Sequence, residues 1–398
     1  MQPAPRKRFL IEILLFLSYF VFGLSWIGYS PFLHDIQAQY QLSHATAGLV
    51  ISSVSFAKIF MPFIAGYLAL RWGVSRTLAL GMACICASLL TPFAPGFIAL
   101  LASRVVFGLG GAVVVTLIGS AVLEWFPKNE LPLVNGFNYV AVNTGITTAL
   151  FVTPPLAQAF GRTNTLFAYA LASLVIAIAW FAFGRDRAPA RQPGSARGVS
   201  TARYLDIIRM KEAWLLTFAA AGPLCVYLVF NTWLPTYYVQ RFQLDAAQAA
   251  RLTGLSNMVG IPAAIFGGLI TRKLPARKPL IVFSGLLVGI ASFGLFLTAN
   301  LLLLKICAVL FGVGLFLWIS PLMTLGMELP GMTPERLALL NGVCYGVGYM
   351  AAFLAPVVAG ALRDRTGSFI PGLILAAVLS WSLAIGGILL PETSAKKN

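Results

Sequence analysis

The sequence predicts an all-α membrane protein of twelve transmembrane helices, built as two pseudo-symmetric six-helix bundles. Three observations carry this. Apolar stretches of about 20 residues, enough to cross roughly 30 Å of hydrocarbon, recur from one end of the chain to the other. Of 398 residues, 59% are hydrophobic and 10% charged, which is outside the range of soluble domains. A stretch near residue 100 also returns 204 residues later, where Gly108, Gly110 and Glu124 become Gly312, Gly314 and Glu328. The same offset carries Pro31 onto Pro235, and Asn135-Gly136 recurs with a small slip as Asn341-Gly342. A matched glutamate is informative in a chain with only 12 acidic residues, and an internal repeat outranks other signals.

The elements follow in order. Arg6, Lys7 and Arg8 precede an apolar run from Phe9 that continues past Trp26 and contains Glu12. With no small-residue cleavage site, it reads as a retained first span over about 9–32 rather than a signal peptide. Spans two to six lie near 44–70, 77–95, 97–125, 132–158 and 165–183. Six more lie near 213–238, 248–271, 279–298, 301–327, 337–361 and 369–390. Ser43 and Asp245 stand where the helix N-caps of spans two and eight belong. The predicted units are an N-terminal bundle over 1–183, a cytoplasmic linker over 184–212 and a C-terminal bundle over 213–398. The linker begins rich in Pro, Gly and Arg. It ends with Tyr204, Ile207, Ile208 and Lys211 at helical spacing, either a short amphipathic helix on the membrane surface or a leader into span seven.

The formal charge of +16 suggests a nucleic-acid partner until its placement is considered. Segments predicted to lie inside carry 20 Lys or Arg and the outer loops only five, so the excess is topological. Both termini then face the cytoplasm, in a bacterial-type cytoplasmic (inner) membrane. The five cysteines lie in apolar runs without a CxxC pair, and His34 and His44 flank the first outer loop without a ligand cluster. No metal, cofactor, nucleic acid or enzymatic chemistry is predicted.

Charges inside the spans are the exceptions that point to function. Lys58 lies about twelve residues from either end of span two, roughly 18 Å of helix, too far for its stem to reach the interface. Arg104 lies about 10 Å inside span four. Neither is repeated in the second half, where Val259 or Gly260 and Ala308 stand instead. Glu12, a turn inside span one, and Asp35, at its outer end, are the acids placed to carry a proton, unless the substrate carries it. Tyr19, Trp26, Tyr139 and Asn143 in the first half, with Tyr227, Asn231, Trp318, Tyr345 and Tyr349 in the second, supply aromatic and amide groups for a binding site. Tyr29, Trp233, Tyr237 and Tyr238 sit near span ends and read mainly as interfacial belt residues. Asn231 and Asn257 are deep enough to need hydrogen-bond partners.

Gly66, Leu68, Arg71, Gly73 and Arg76, between spans two and three, resemble the G-x-L-a-D-R-x-G-r-r signature of the major facilitator superfamily, with Leu70 in place of its Asp. The second copy, Gly267 to Lys278, has Thr271 there. Arg104, Gly108 and Gly110 resemble the superfamily's R-x-x-x-G-x-G in span four. The glycines, Gly66 included, suit close helix packing. The resemblance spans the whole chain and implies parallel repeats, a cavity lined by spans one, four, seven and ten, and alternating access by rocking bundles. It implies a charge latch from Arg71, Arg76, Glu124, Arg272 and Glu328, reduced because the Asp is missing from both copies. Span five carries Thr153-Pro154-Pro155 where the drug–proton antiporters of this superfamily are glycine-rich, which tilts against drug efflux. The predicted function is secondary transport of a small organic anion held by Lys58 and Arg104, coupled to protons, by a monomer in membrane lipid. Two alternatives stay open: an exporter of amphipathic or cationic compounds, and a non-transporting membrane sensor on the same fold.

Overall fold

The computed structural model describes residues 5–127, 130–185, 206–274, 276–332 and 334–393. Among them, twelve helices are long and apolar enough to cross a membrane, from Lys7–Tyr40 to Ile370–Leu389. The protein is an all-α, multi-pass membrane protein, as the apolar periodicity predicted. Its described residues fall into two compact units, one drawn from Met1–Phe32 and Ser53–Ala196, the other from Leu33–Ser52 and Arg197–Asn398. The second unit therefore takes in the end of span one and the start of span two, a grouping that chain order alone does not suggest.

The first unit holds α1 (Pro5–Ile27), most of α3 (His44–Trp72), α4 (Val74–Ile85), α5 (Phe97–Trp125), α6 (Leu131–Phe160) and α7 (Arg162–Phe183). The short α2 (Leu33–Tyr40) precedes α3 and belongs to the second unit. Helix α1 stops at Ile27, four residues before Pro31, whose ring nitrogen has no hydrogen for the carbonyl of residue 27. A single 3-10 turn, Ser30–Phe32, follows. Helix α1 packs on α5, α6 and α7, and α4 packs on α5 and α7.

The second unit continues with α8 (Lys211–Phe242), α9 (Ala246–Lys273), α10 (Lys278–Leu297) and a tenth span split into α11 (Leu301–Leu317) and α12 (Ile319–Met327). It ends with α13 (Pro334–Thr366), α14 (Ile370–Ser380) and α15 (Ser382–Leu389). Pro235, the counterpart of Pro31, lies inside α8 without ending it. The caps form as predicted: Thr46 N donates to Ser43 Oγ at 3.1 Å, and Gln248 N to Asp245 Oδ1 at 2.8 Å.

The repeat is visible as matched packing. A Cβ on Gly108 would lie 2.8 Å from Val54 Cα of α3, and one on Gly312 would strike the backbone of Ser256 on α9. Gly110 abuts Gly81 and Ile85 on α4, and Gly314 approaches Val288 and Ser284 on α10 to 2.9–3.0 Å. Each glycine pair thus seats the fourth helix of its half on the second and third. Gly66 departs from expectation: no described atom lies within 4 Å of its Cβ position, whereas Gly267 meets the Leu317 carbonyl at 2.6 Å. The first signature glycine therefore serves no close helix approach.

Residues 186–205, most of the predicted linker and including Tyr204, lie outside the described residues. Residues 206–209 are helical. Ile207 is fully buried in a cluster with Ala213, Leu216, Leu325 and Leu340, and Ile208 packs against it, so these side chains serve the unit's own core.

Candidate functional site

The deepest charges lie together in the first unit. Arg104, on α5, is fully buried. Its NH1 donates to the carbonyl of Ser25 at 3.0 Å and its NH2 to that of Trp26 at 2.8 Å. These carbonyls belong to the last turn of α1, where ladder donors run out, so the guanidinium fork caps a helix end in the membrane. Its carbon also lies 4.5 Å from the centre of the Tyr29 ring and 5.0 Å from that of Phe107.

Lys58 lies beside the same turn from the middle of α3 and is 4% exposed. Its ammonium sits 4.2 Å from the Trp26 ring centre and 5.3 Å from that of Phe22. Phe22 in turn stacks on Phe107 at 4.9 Å and on Tyr19 at 5.9 Å. Trp26 therefore links the two cations: its carbonyl takes Arg104 and its ring takes Lys58. Of the predicted first-half residues, Lys58, Arg104, Trp26 and Tyr19 come together here. Asn143 is buried on α6, and the side chain of Tyr139 lies outside the described residues. Asp35 is exposed on α2.

In the second unit the two deep amides are joined, although Asn257 Oδ1 is buried with no hydrogen-bond partner among the described residues. Asn257 Nδ2 donates to Asn231 Oδ1 at 2.8 Å, and Asn231 Nδ2 to the Tyr227 carbonyl at 2.9 Å. Tyr227 meets Phe316 edge-on, and Tyr345 and Tyr349 stack with centroids 6.2 Å apart. Trp318 joins α11 to α12 inside the apolar cluster around Leu216, Leu322 and Leu340, where it packs as core. The span-end aromatics are corrected by the structure. Trp233, Tyr237 and Tyr238 are 0–3% exposed and donate to the carbonyls of Pro356, Phe296 and Leu295 at 2.7–2.9 Å. Tyr29 is equally buried. They hold neighbouring helices together rather than forming a belt in lipid.

Of the latch candidates, Glu328 is engaged, by a different arginine. Arg277 Nε and NH2 reach its two carboxylate oxygens at 3.3 and 2.9 Å, and Thr393 Oγ1 donates to it at 3.0 Å. Arg277 NH1 also donates to the Thr271 and Leu274 carbonyls, and Glu392 accepts from the backbone nitrogens of Arg277 and Lys278. The guanidinium holds the Glu328 carboxyl below the usual carboxylate range, and the pair keeps Arg277 charged. Among the described residues, no ion pair joins Arg71 or Arg76 to Glu124, or Arg272 to Glu328.

Sequence reasoning missed one polar junction in the second unit. Asp364, near the end of α13, accepts from His44 N and Ala45 N at 2.9 Å each, and its Oδ1 lies 2.6 Å from His44 Nδ1. It caps the start of α3 from a helix 320 residues away. The one available signal was an acid near the end of span eleven, which carries no register with His44.

Twelve helices long and apolar enough to cross a membrane, with Lys58 and Arg104 buried among them, define a multi-pass membrane protein. The sequence profile described as Major Facilitator Superfamily matches residues 15–334, and the chain belongs to that family of transporters. It is 25% identical to the 2-nitroimidazole transporter of Escherichia coli, over 92% of this chain and 91% of that protein. It is also 25% identical to the probable sulfoacetate transporter SauU of Cupriavidus necator, over 95% and 93% of the two chains. The crystal structure of the nucleoside transporter NupG superposes with a TM-score of 0.79 at 15% identity, covering 96% of this chain and 99% of that one. That likeness is one of fold.

Proposed function

We propose that this protein is a secondary transporter of a small organic anion, working by alternating access in a bacterial cytoplasmic membrane and coupled to protons. One observation carries the reading: a lysine buried at the middle of a membrane helix, its ammonium against aromatic faces. A cation–π contact is worth about 0.5–2 kcal/mol. A charge-assisted hydrogen bond to a carboxylate or sulfonate is worth about 1.5–3 kcal/mol. An entering anion would meet the Lys58 ammonium beside the flat indole and phenyl faces, which guide it. Arg104, committed to two carbonyls, shapes the site and adds positive potential. The relative named for sulfoacetate, an anion, supports this substrate class.

A second reading, export of amphipathic or cationic compounds, draws on the continuous ring cluster of Tyr19, Phe22, Trp26 and Phe107. Thermal-shift measurements separate the two, because a ligand stabilises the state that binds it. Sulfoacetate and related carboxylates should raise the melting temperature of the wild type and fail to raise that of Lys58→Ala. Stabilisation by tetraphenylphosphonium alone would replace the anion reading with the second one.

A further inference from the structure

Glu12, in the second turn of the first span's helix, meets a neutral amide. Its Oε1 accepts from Asn138 Nδ2 on α6 at 2.9 Å. The same Nδ2 lies 3.3 Å from the Val134 carbonyl. Two buried oxygens are left over, Glu12 Oε2 and Asn138 Oδ1, and neither has a hydrogen-bond partner among the described residues. Both are acceptors, so no bond can join them while the carboxyl is ionised. Asn138 itself is 2% exposed, and a buried polar atom without a partner is costly.

One added proton satisfies both. A carboxylic acid and a primary amide form a planar ring of two hydrogen bonds, with N–H donating to the acid carbonyl and O–H donating to the amide carbonyl. The first of these bonds is already present. We propose that Glu12 and Asn138 form a proton-binding site, in which Glu12 is held as the neutral acid and donates through Oε2 to Asn138 Oδ1. Glu12 carries the proton, and Asn138 is its positioning residue.

The charged groups around it are consistent with a neutral acid. Arg8, one turn earlier on α1, is turned to Glu130 at 3.3 Å and lies against the rings of Phe9 and Phe126. Glu124 lies next to last in α5, Arg185 follows α7, and the α6 sequence holds no charged residue, with Asn138 the side chain that meets Glu12 among the described ones. Arg104 and Arg162 belong to the opposite ends of α5 and α7. When Glu12 loses its proton the ring opens and a carboxylate with a single amide donor remains, a charge that favours Arg8 or water. The proton thus sets which partners the start of α1 holds. That it is also the coupling ion rests on the transport reading above, whereas its binding rests on this geometry.

The test uses the full-length protein without any anion, so that a failed substrate screen leaves it untouched. Glutamine at position 12 reproduces the protonated ring, since its NH2 donates to Asn138 Oδ1 in place of the acid O–H. Above the acid limb set by the Arg277–Glu328 pair, the melting temperature of the wild type should fall with rising pH, and that of Glu12→Gln should stay level. Infrared difference spectra should show a hydrogen-bonded carboxylic-acid C=O band at neutral pH that Glu12→Gln removes and Asn138→Leu shifts to higher frequency. A Glu12→Gln protein less stable than wild type at every pH, or an acid band that Asn138→Leu does not move, would overturn the proposal.

Discussion

At the scale of single residues, the two buried cations have different surroundings, Arg104 donating to two backbone carbonyls and Lys58 lying against aromatic rings. Position and charge type were legible for both, because a lysine or arginine in the middle of an apolar span is conspicuous. The partners were not, since backbone carbonyls and ring faces carry no sequence label. Removing a charge from the membrane interior relieves a desolvation cost, so the sequence alone predicts that folding survives loss of either. The carbonyls of Ser25 and Trp26 change that expectation for one of them. Arg104→Ala should destabilise the protein by about 1–3 kcal/mol, the cost of stranding buried acceptors, read as a lowered melting temperature without ligand. Arg104→Lys should restore only part of this, because an ammonium lacks the planar fork that spans both carbonyls. Lys58→Ala should leave folding intact and weaken anion binding by about 1.5–3 kcal/mol, roughly 10- to 150-fold in dissociation constant. Loss of melting temperature without loss of affinity would make Lys58 structural.

At the scale of elements, helix spans and local caps were readable, because hydropathy sets the former and each cap lies within three residues of its helix. Long-range pairings were not. The repeat singled out the span-ten glutamate, Glu328, yet the arginine that reaches it is Arg277 rather than Arg272, decided by how the chain turns between α9 and α10. That pair sets an acid sensitivity. The Glu328 carboxyl is held below its ordinary range first by the Arg277 hydrogen bond, so its contribution is present above the unfolded carboxylate's pKa and is lost as pH falls through the folded value. Glu328→Gln should flatten the acid limb of a stability–pH curve and leave the neutral region little changed. Asp364→Ala should cost about 0.5–2 kcal/mol, the usual worth of an N-cap, and increase amide exchange in the first turn of α3. If neither the melting temperature nor the exchange rates move, the carboxylate is not acting as a cap.

At the scale of the whole molecule, the repeat was legible in glycines and acids and is repeated in packing, while its departures, Lys58 and Arg104, mark what one half alone acquired. The orientation that the placement of basic residues predicts is directly testable. In a background without the five native cysteines, single cysteines near Arg8 and within residues 184–212 should resist impermeant thiol reagents in intact cells, and those near Arg162 or Arg363 should react. The opposite labelling would reverse the predicted sidedness. The carboxylate that caps the second span adds a matter of timing. His44 leaves the ribosome 320 residues ahead of Asp364. At about 5–20 residues per second, that is an interval of roughly 16–64 s. Throughout it, the amides of His44 and Ala45 in the first turn of α3 have water in place of that carboxylate, while Ser43 Oγ serves Thr46 N. Synthesis of the eleventh span therefore completes the second, and a ribosome arrested before residue 364 leaves a nascent chain whose second span lacks the carboxylate that caps it.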